Sequence, residues 1–286
     1  MGAERSGCSR MRIGLIDVDG HNFPNIPLMK LAAWHKQHGD TVEWYEPLFS
    51  GHMDRVYMSK VFGFTEDYPY FVDADEVIRG GSGYCIELTE GRERYIKERD
   101  KELHPEVEHI YPDYSIYPRL THDKAFGFLT RGCPRGCEFC HVGCKEGRRS
   151  RKVADLSEFW KGQKNIVLCD PNTLACPEHM ELLQQLKDSK ARVNFNQGLD
   201  VRLMNEKNIE LLKQIKLEGK ATGEGRINRG KGSDEGSGTR SSLMWETIHI
   251  IENMGEWRPR YVIWENVKNV KSKYMRPNFD RYMVEV

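Results

Sequence analysis

Four of the chain's eight cysteines, Cys133, Cys137, Cys140 and Cys144, crowd into the end of the stretch GFLTRGCPRGCEFCHVGC, Gly127 to Cys144. Thiolates spaced CxxxCxxC on one short loop can each take one iron of a cubane iron–sulfur cluster, which leaves the fourth iron open to another ligand. Gly132 and Gly136 let such a loop bend tightly around a metal, and Pro134 stiffens it. Cys144 extends the run to CxxxCxxCxxxC, and a fourth thiolate is also what a structural zinc site or a closed electron-transfer cluster requires. The later Cys169 and Cys176 do not form the second CxxC pair of a zinc ribbon. His141 reads as an exposed loop histidine, and Cys8, Cys85, Cys169 and Cys176 as free thiols in a reducing compartment.

The spacing of Cys133, Cys137 and Cys140, with the aromatic Phe139 just before the last cysteine, resembles the radical S-adenosylmethionine (radical SAM) enzymes. The resemblance implies that the three cysteines ligate a 4Fe-4S cluster and that S-adenosylmethionine chelates the open iron through its amino and carboxylate groups. An electron from a reductant such as flavodoxin or ferredoxin would then break a carbon–sulfur bond of the sulfonium. The products would be methionine and a 5′-deoxyadenosyl radical that abstracts hydrogen from an undefined substrate. Phe139 would pack beside the cluster and the adenine.

The elements that must position this loop read as α/β. Residues 1–10 carry no pattern and are expected to be a disordered extension. Arg12–Val18 reads as a strand and Pro27–His38 as a helix with proline in its first turn and Gly39 as its stop. Thr41–Tyr45 is a second strand, so the three make a βαβ unit with a right-handed crossover. With DADEVIRGGSGY at Asp73–Tyr84, residues 11–102 resemble the Rossmann-like, cobalamin-binding-like domain that precedes some radical SAM cores. Asp19-Gly20-His21 supplies the DxH of the DxHxxG cobalamin signature, but Pro24 stands where the glycine belongs, so cobalamin itself is not expected. Gly80–Gly83 reads as a plain turn.

Residues 103–123, interrupted by Pro105, Pro112 and Pro118, read as a linker. Three strand–helix repeats follow within 124–217, the expected partial radical SAM (βα) barrel. Ala125–Thr130 leads to the cysteine loop and a helix around Leu156–Trp160. Asn165–Cys169 leads to a helix from about Pro177 to Lys187, and Arg192–Asn196 to one from about Asn205 to Ile215. Such alternation implies parallel strands, whose carboxyl-end loops carry the chemistry. Asp170 and Asn172 follow the second strand; Asn196, Gln197, Asp200 and Arg202 follow the third. The resemblance makes Asp170, Asn172, Gln197, Asp200 and Arg202 candidates for holding S-adenosylmethionine or substrate. An Asx turn or helix cap accounts equally well for Asp170 and Asn172. The basic run Lys145, Arg148, Arg149, Arg151 and Lys152 reads as a solvated face, or as an attractor for an anionic substrate.

The barrel pattern stops near Leu217, after three units where a radical SAM core typically has six. Residues 218–240 are a glycine-rich, charged seam. Within 241–286 the text changes family. GKGSDEGSGTRSSLMWE at Gly230–Glu246, a helix to about Met254 and RYVIWENVKNV at Arg260–Val270 resemble part of a DNA cytosine carbon-5 methyltransferase. The resemblance assigns Glu265 of the ENV triplet as the vestigial glutamate that contacts a flipped cytosine, and DNA would be a partner only through this segment. That family's attacking Pro-Cys should precede the glycine loop. The chain reads KATGEGRIN at Lys220–Asn228 instead, and has no cysteine after Cys176, so methyl transfer is not expected.

Lysine plus arginine equal aspartate plus glutamate, 43 each over 286 residues, so no global charge pulls the chain to nucleic acid or membrane. No apolar run is long enough to span a bilayer, there is no signal-peptide core, and a cytoplasmic protein is expected. The sequence therefore predicts a radical SAM iron–sulfur protein with a barrel cut short, its turnover in question, joined to a methyltransferase-like remnant. The rivals are a cytosine methyltransferase fragment without its catalytic cysteine and a metal-stapled, non-enzymatic binding module.

Overall fold

The computed structural model describes residues 10–20, 22–89, 92–137 and 140–217. Expectations for residues 1–9, His21, Phe139, the glycine-rich seam and the methyltransferase-like tail with Glu265 lie outside the described residues.

The described chain is mixed α/β and is built on two parallel sheets. The first holds β1 (Arg12–Asp17), β2 (Thr41–Trp44), β3 (Met53–Ser59) and β4 (Ala74–Gly80) in the order β2-β1-β3-β4. Helix α1 (Ile26–Gln37) connects β1 to β2. Its start is fixed locally: the Asn25 side chain accepts the Leu28 amide at 3.2 Å, and Pro27 lies in the first turn. Gly39, at φ +87°, follows the helix end. The central strand β3 is absent from the sequence expectation because Asp54 and Arg55 interrupt its apolar pattern; Met53, Val56 and Met58 are nevertheless buried. A hairpin, β5 (Ile86–Thr89) and β6 (Arg92–Tyr95), follows.

Residues 103–123 carry two single-turn helices, α2 (Pro105–Glu108) and α3 (Pro118–Thr121), and are bound to both sheets. Trp44 Nε1 donates to the Ile116 carbonyl at 3.2 Å, and the Tyr117 hydroxyl donates to Asp17 at 2.6 Å. On the other side the Tyr114 hydroxyl donates to the Phe159 carbonyl at 2.7 Å. This stretch is a built connector with its polar groups committed, not a free tether.

The second sheet begins with β7 (Lys124–Gly127). A small antiparallel pair, β8 (Thr130–Arg131) and β9 (Arg151–Lys152), closes the base of the cysteine loop, which carries the one-turn α4 (Val142–Lys145). Then come β10 (Asn165–Leu168), α5 (His179–Ser189), β11 (Arg192–Phe195), α6 (Glu206–Leu212) and β12 (Lys216–Leu217). The sheet order β7-β10-β11-β12 is consecutive and all parallel. The helix expected around Leu156–Trp160 is a single 3-10 turn, Leu156–Glu158, whose Leu156 and Phe159 still reach the core.

Both faces of this sheet are covered, as parallel sheets require. Ile166 and Leu168 face Leu182, Leu183 and Leu186 of α5 and Leu211 and Leu212 of α6. The alternate residues Val167 and Cys169 join Phe126 against Ile26 and Met29 of α1. Helix α1 also buries Leu28 and Ala32 against Ile13 and Leu15 of the first sheet. One helix thus fills the space between the sheets, which is why it is apolar on more than one face. Among the described residues no helix is long and apolar enough to cross a membrane.

Candidate functional site

The cysteine loop leaves the carboxyl end of β7 through a backbone that admits little besides glycine at its first corner. Gly132 sits at φ +87°, and a Cβ there would lie 2.2 Å from the Arg149 carbonyl oxygen. The Cys133 amide donates to the Gly147 carbonyl at 3.1 Å. Glu146 accepts both the Gly132 amide at 3.0 Å and Arg131 Nη1 at 2.9 Å. These bonds tie the loop's two ends together. Its outer part rests on the hairpin: His141 pairs with Glu93 at 3.0 Å, and Lys97 Nζ donates to the Lys145 carbonyl at 3.1 Å. Lys145 itself points inward to Ser82 Oγ at 3.5 Å, and its desolvation lowers its pKa. The basic run is therefore largely engaged: Lys152 pairs with Asp155 and Glu181, and Arg151 Nη1 donates to the Glu146 carbonyl.

Asp170, at the end of β10, is 2% exposed. Its Oδ1 accepts the Leu129 amide at 2.8 Å; its Oδ2 accepts the Thr130 amide at 2.9 Å, the Thr130 hydroxyl at 2.7 Å and the Thr173 hydroxyl at 3.3 Å. Burial pushes its pKa up to about 6. With these donors consumed, Asp170 anchors the start of the loop and offers little to a ligand.

Asn172 reaches further. Its Nδ2 lies 3.6 Å from Cys133 Sγ and donates to Asp200 Oδ2 at 3.2 Å, while its Oδ1 is buried without a partner. Asp200, in the loop after β11, also receives Arg202 Nε at 2.8 Å and the Nε of Arg135 from within the cysteine run. The hydrogen bonds from Arg202, then from Arg135 and Asn172, hold its carboxyl well below the usual carboxylate range. Cys133, Asn172, Asp200 and Arg202 are thus brought together at the carboxyl ends of β7, β10 and β11. Gln197 is exposed on the same loop as Asp200. Arg135, Glu146 and Thr130, which sequence reasoning passed over, complete the arrangement; Arg135 reads there only as a spacer between two cysteines.

The donor chemistry of the loop fits an iron–sulfur cluster. Cys133 is half-buried, Cys137, Cys140 and Cys144 are exposed, and all are free thiols. Among the described residues no three His, Cys, Asp or Glu side chains are gathered into a metal-holding group. An open cleft of about 520 Å³, lined by Lys36, Tyr111, Asp113, His122 and Gln163 among others, lies by the amino end of β10, at the opposite end of the strand from the cysteines.

No family model matches the chain. Part of it is 46% identical over 48 residues to the type II methyltransferase M2.ScrFI of Lactococcus lactis subsp. cremoris. The match covers 17% of this chain and 12% of that protein, so the chain spans about an eighth of its relative's length. It supports the methyltransferase-like segment and bears on no residue of the cysteine site.

Proposed function

We propose that residues 124–217 form the cluster-bearing part of a radical SAM-type barrel. Cys133, Cys137 and Cys140 would ligate a 4Fe-4S cluster, whose open iron would bind S-adenosylmethionine. When bound, the cluster supplies the electron for reductive cleavage of the sulfonium. The observation that carries this reading is that side chains from the carboxyl ends of three neighbouring parallel strands, Cys133, Asn172 and Asp200, meet within hydrogen-bonding reach. This is the end of such a sheet where a ligand binds. In this reading the chain's own residues do three things. Asp170 and Glu146 fix the loop's root, Asn172 touches the first ligating sulfur, and Arg202 and Arg135 place positive charge around Asp200 beside it. Cluster and cofactor binding, rather than completed turnover on a substrate, is the activity proposed for the part of the barrel that is present.

The test is low-temperature electron paramagnetic resonance on anaerobically reconstituted, reduced protein. We expect a cluster signal that changes when S-adenosylmethionine is added, and loss of that signal in Cys133→Ala, Cys137→Ala and Cys140→Ala. A colourless zinc protein in which Cys144→Ala is as damaging as Cys133→Ala would replace this reading with the metal-stapled binding module. The 48-residue likeness to a type II methyltransferase favours a second, separate reading for the tail: a segment derived from a DNA methyltransferase, without the cysteine that chemistry needs.

A further inference from the structure

Building on the cluster-binding reading above, we propose that Asn172 sets the reduction potential of a cluster held at Cys133 by donating an N–H···S hydrogen bond to that cysteine's sulfur. The geometry fixes which end of the amide faces the sulfur. Asn172 Nδ2 lies 3.6 Å from Cys133 Sγ and 3.2 Å from Asp200 Oδ2. A carboxylate paired with two arginines stays ionised and only accepts, so the atom facing Asp200 must be the NH₂ group, and the same group faces Cys133. The opposite flip would set an amide oxygen against a carboxylate oxygen.

The amide is also held from behind. Asn172 is 4% exposed, and its backbone carbonyl accepts the Ser150 hydroxyl at 3.0 Å. Its side-chain oxygen is buried without a partner, a cost that native proteins seldom carry without a reason. The orientation that serves the sulfur is kept at that cost. Arg135 strengthens the link: it lies between Cys133 and Cys137 and binds the same carboxylate that orients Asn172. Hydrogen bonds to cluster sulfurs withdraw charge from the thiolate and favour the reduced state, and they are one of the protein's levers on cluster potential. Asn172 is therefore a positioning residue acting through Cys133.

The experiment is a redox titration of the reconstituted full-length chain followed by electron paramagnetic resonance, comparing wild type with Asn172→Leu and Asn172→Ala. Leucine keeps the volume and removes the donor; alanine is the second variant should leucine not fold. The expected result is an unchanged iron and sulfide content with the midpoint shifted to lower potential in each variant that loads. An unchanged midpoint in a loaded variant overturns the proposal. So does failure of both folded variants to hold a cluster, which would make Asn172 a structural support only. A wild-type chain that takes up no iron–sulfur cluster removes the proposal together with the reading beneath it, and the wild-type absorption spectrum separates that case from the others.

Discussion

Asp170 and Asp200 follow adjacent strands of one sheet, yet their surroundings move them in opposite directions. The buried Asp170 is raised from 3.8 to about 6, whereas Arg202, Arg135 and Asn172 hold Asp200 down. Between about pH 4 and 6 the folded chain keeps a proton on Asp170 that the unfolded chain has released, so this group's contribution to stability falls as pH rises through that window. For Asp200 the sense is reversed, its stabilisation being present above the unfolded carboxylate range and lost as pH falls. Urea denaturation at pH 4.5 and pH 7 should therefore show wild type losing more stability than Asp170→Asn as pH rises, by about 2 kcal/mol. Parallel profiles would show that Asp170 titrates normally. The two roles differ in how far the sequence discloses them. Position after a strand marks both residues as site candidates, but only the folded chain shows that Thr130 and Leu129 donate to Asp170 from forty residues away. Arg135 carries no signal at all until Asp200 is seen against it.

Among the elements, β7 presents the clearest problem of design, because it is an edge strand whose outward backbone groups must be satisfied. Tyr114, from the connector, answers it with one hydroxyl. That oxygen accepts the Phe126 amide at 3.1 Å and is hydrogen-bonded with the Phe126 and Phe159 carbonyls, at 3.2 and 2.7 Å. Burial raises the Tyr114 phenol above its usual range, so it stays protonated and able to donate. Tyr114→Phe should cost about 1–3 kcal/mol, since it strands a backbone donor. It should also speed hydrogen exchange at Phe126 more than at Ile166, which lies on the interior strand β10; equal protection at both positions would show the edge to be sealed by something else. Proline spacing made residues 103–123 legible as an interruption between two α/β regions, but not as the piece that seals the second sheet. The order of strands and helices from Lys124 onward was legible, because its apolar pattern and caps agree, as at Asn205, whose side chain accepts the Asn208 amide at 3.1 Å; the helix expected around Leu156–Trp160 was not, being a single 3-10 turn. Strand β3 was not, since its buried Met53, Val56 and Met58 are separated by charged and aromatic residues whose places only the sheet explains.

At the scale of the whole molecule the chain joins segments with different chemical demands. The consecutive sheet β7-β10-β11-β12 supplies carboxyl ends that can surround the cysteine loop. The methyltransferase-like segment, supported by the 48-residue match, would need a different centre: a thiolate to add to cytosine, with the base first turned out of the duplex. The sequence has no cysteine beyond Cys176, and both Cys176 and Cys169 are buried, with thiol pKa values pushed up to about 11 and about 12. A buried thiol held protonated at neutral pH is a poor nucleophile, so neither substitutes for the missing one. The full chain, incubated with methyl-labelled S-adenosylmethionine and cytosine-containing duplex DNA, should transfer no label. It should form no covalent adduct with 5-fluorocytosine DNA, which traps a thiolate added to the ring. Label appearing at cytosine would require a nucleophile that the methyltransferase-like segment does not carry, and would overturn the assignment of the tail as chemically silent. If S-adenosylmethionine still perturbs the cluster signal in the same preparation, the cofactor is being bound at the cysteine site and not by the methyltransferase-like segment.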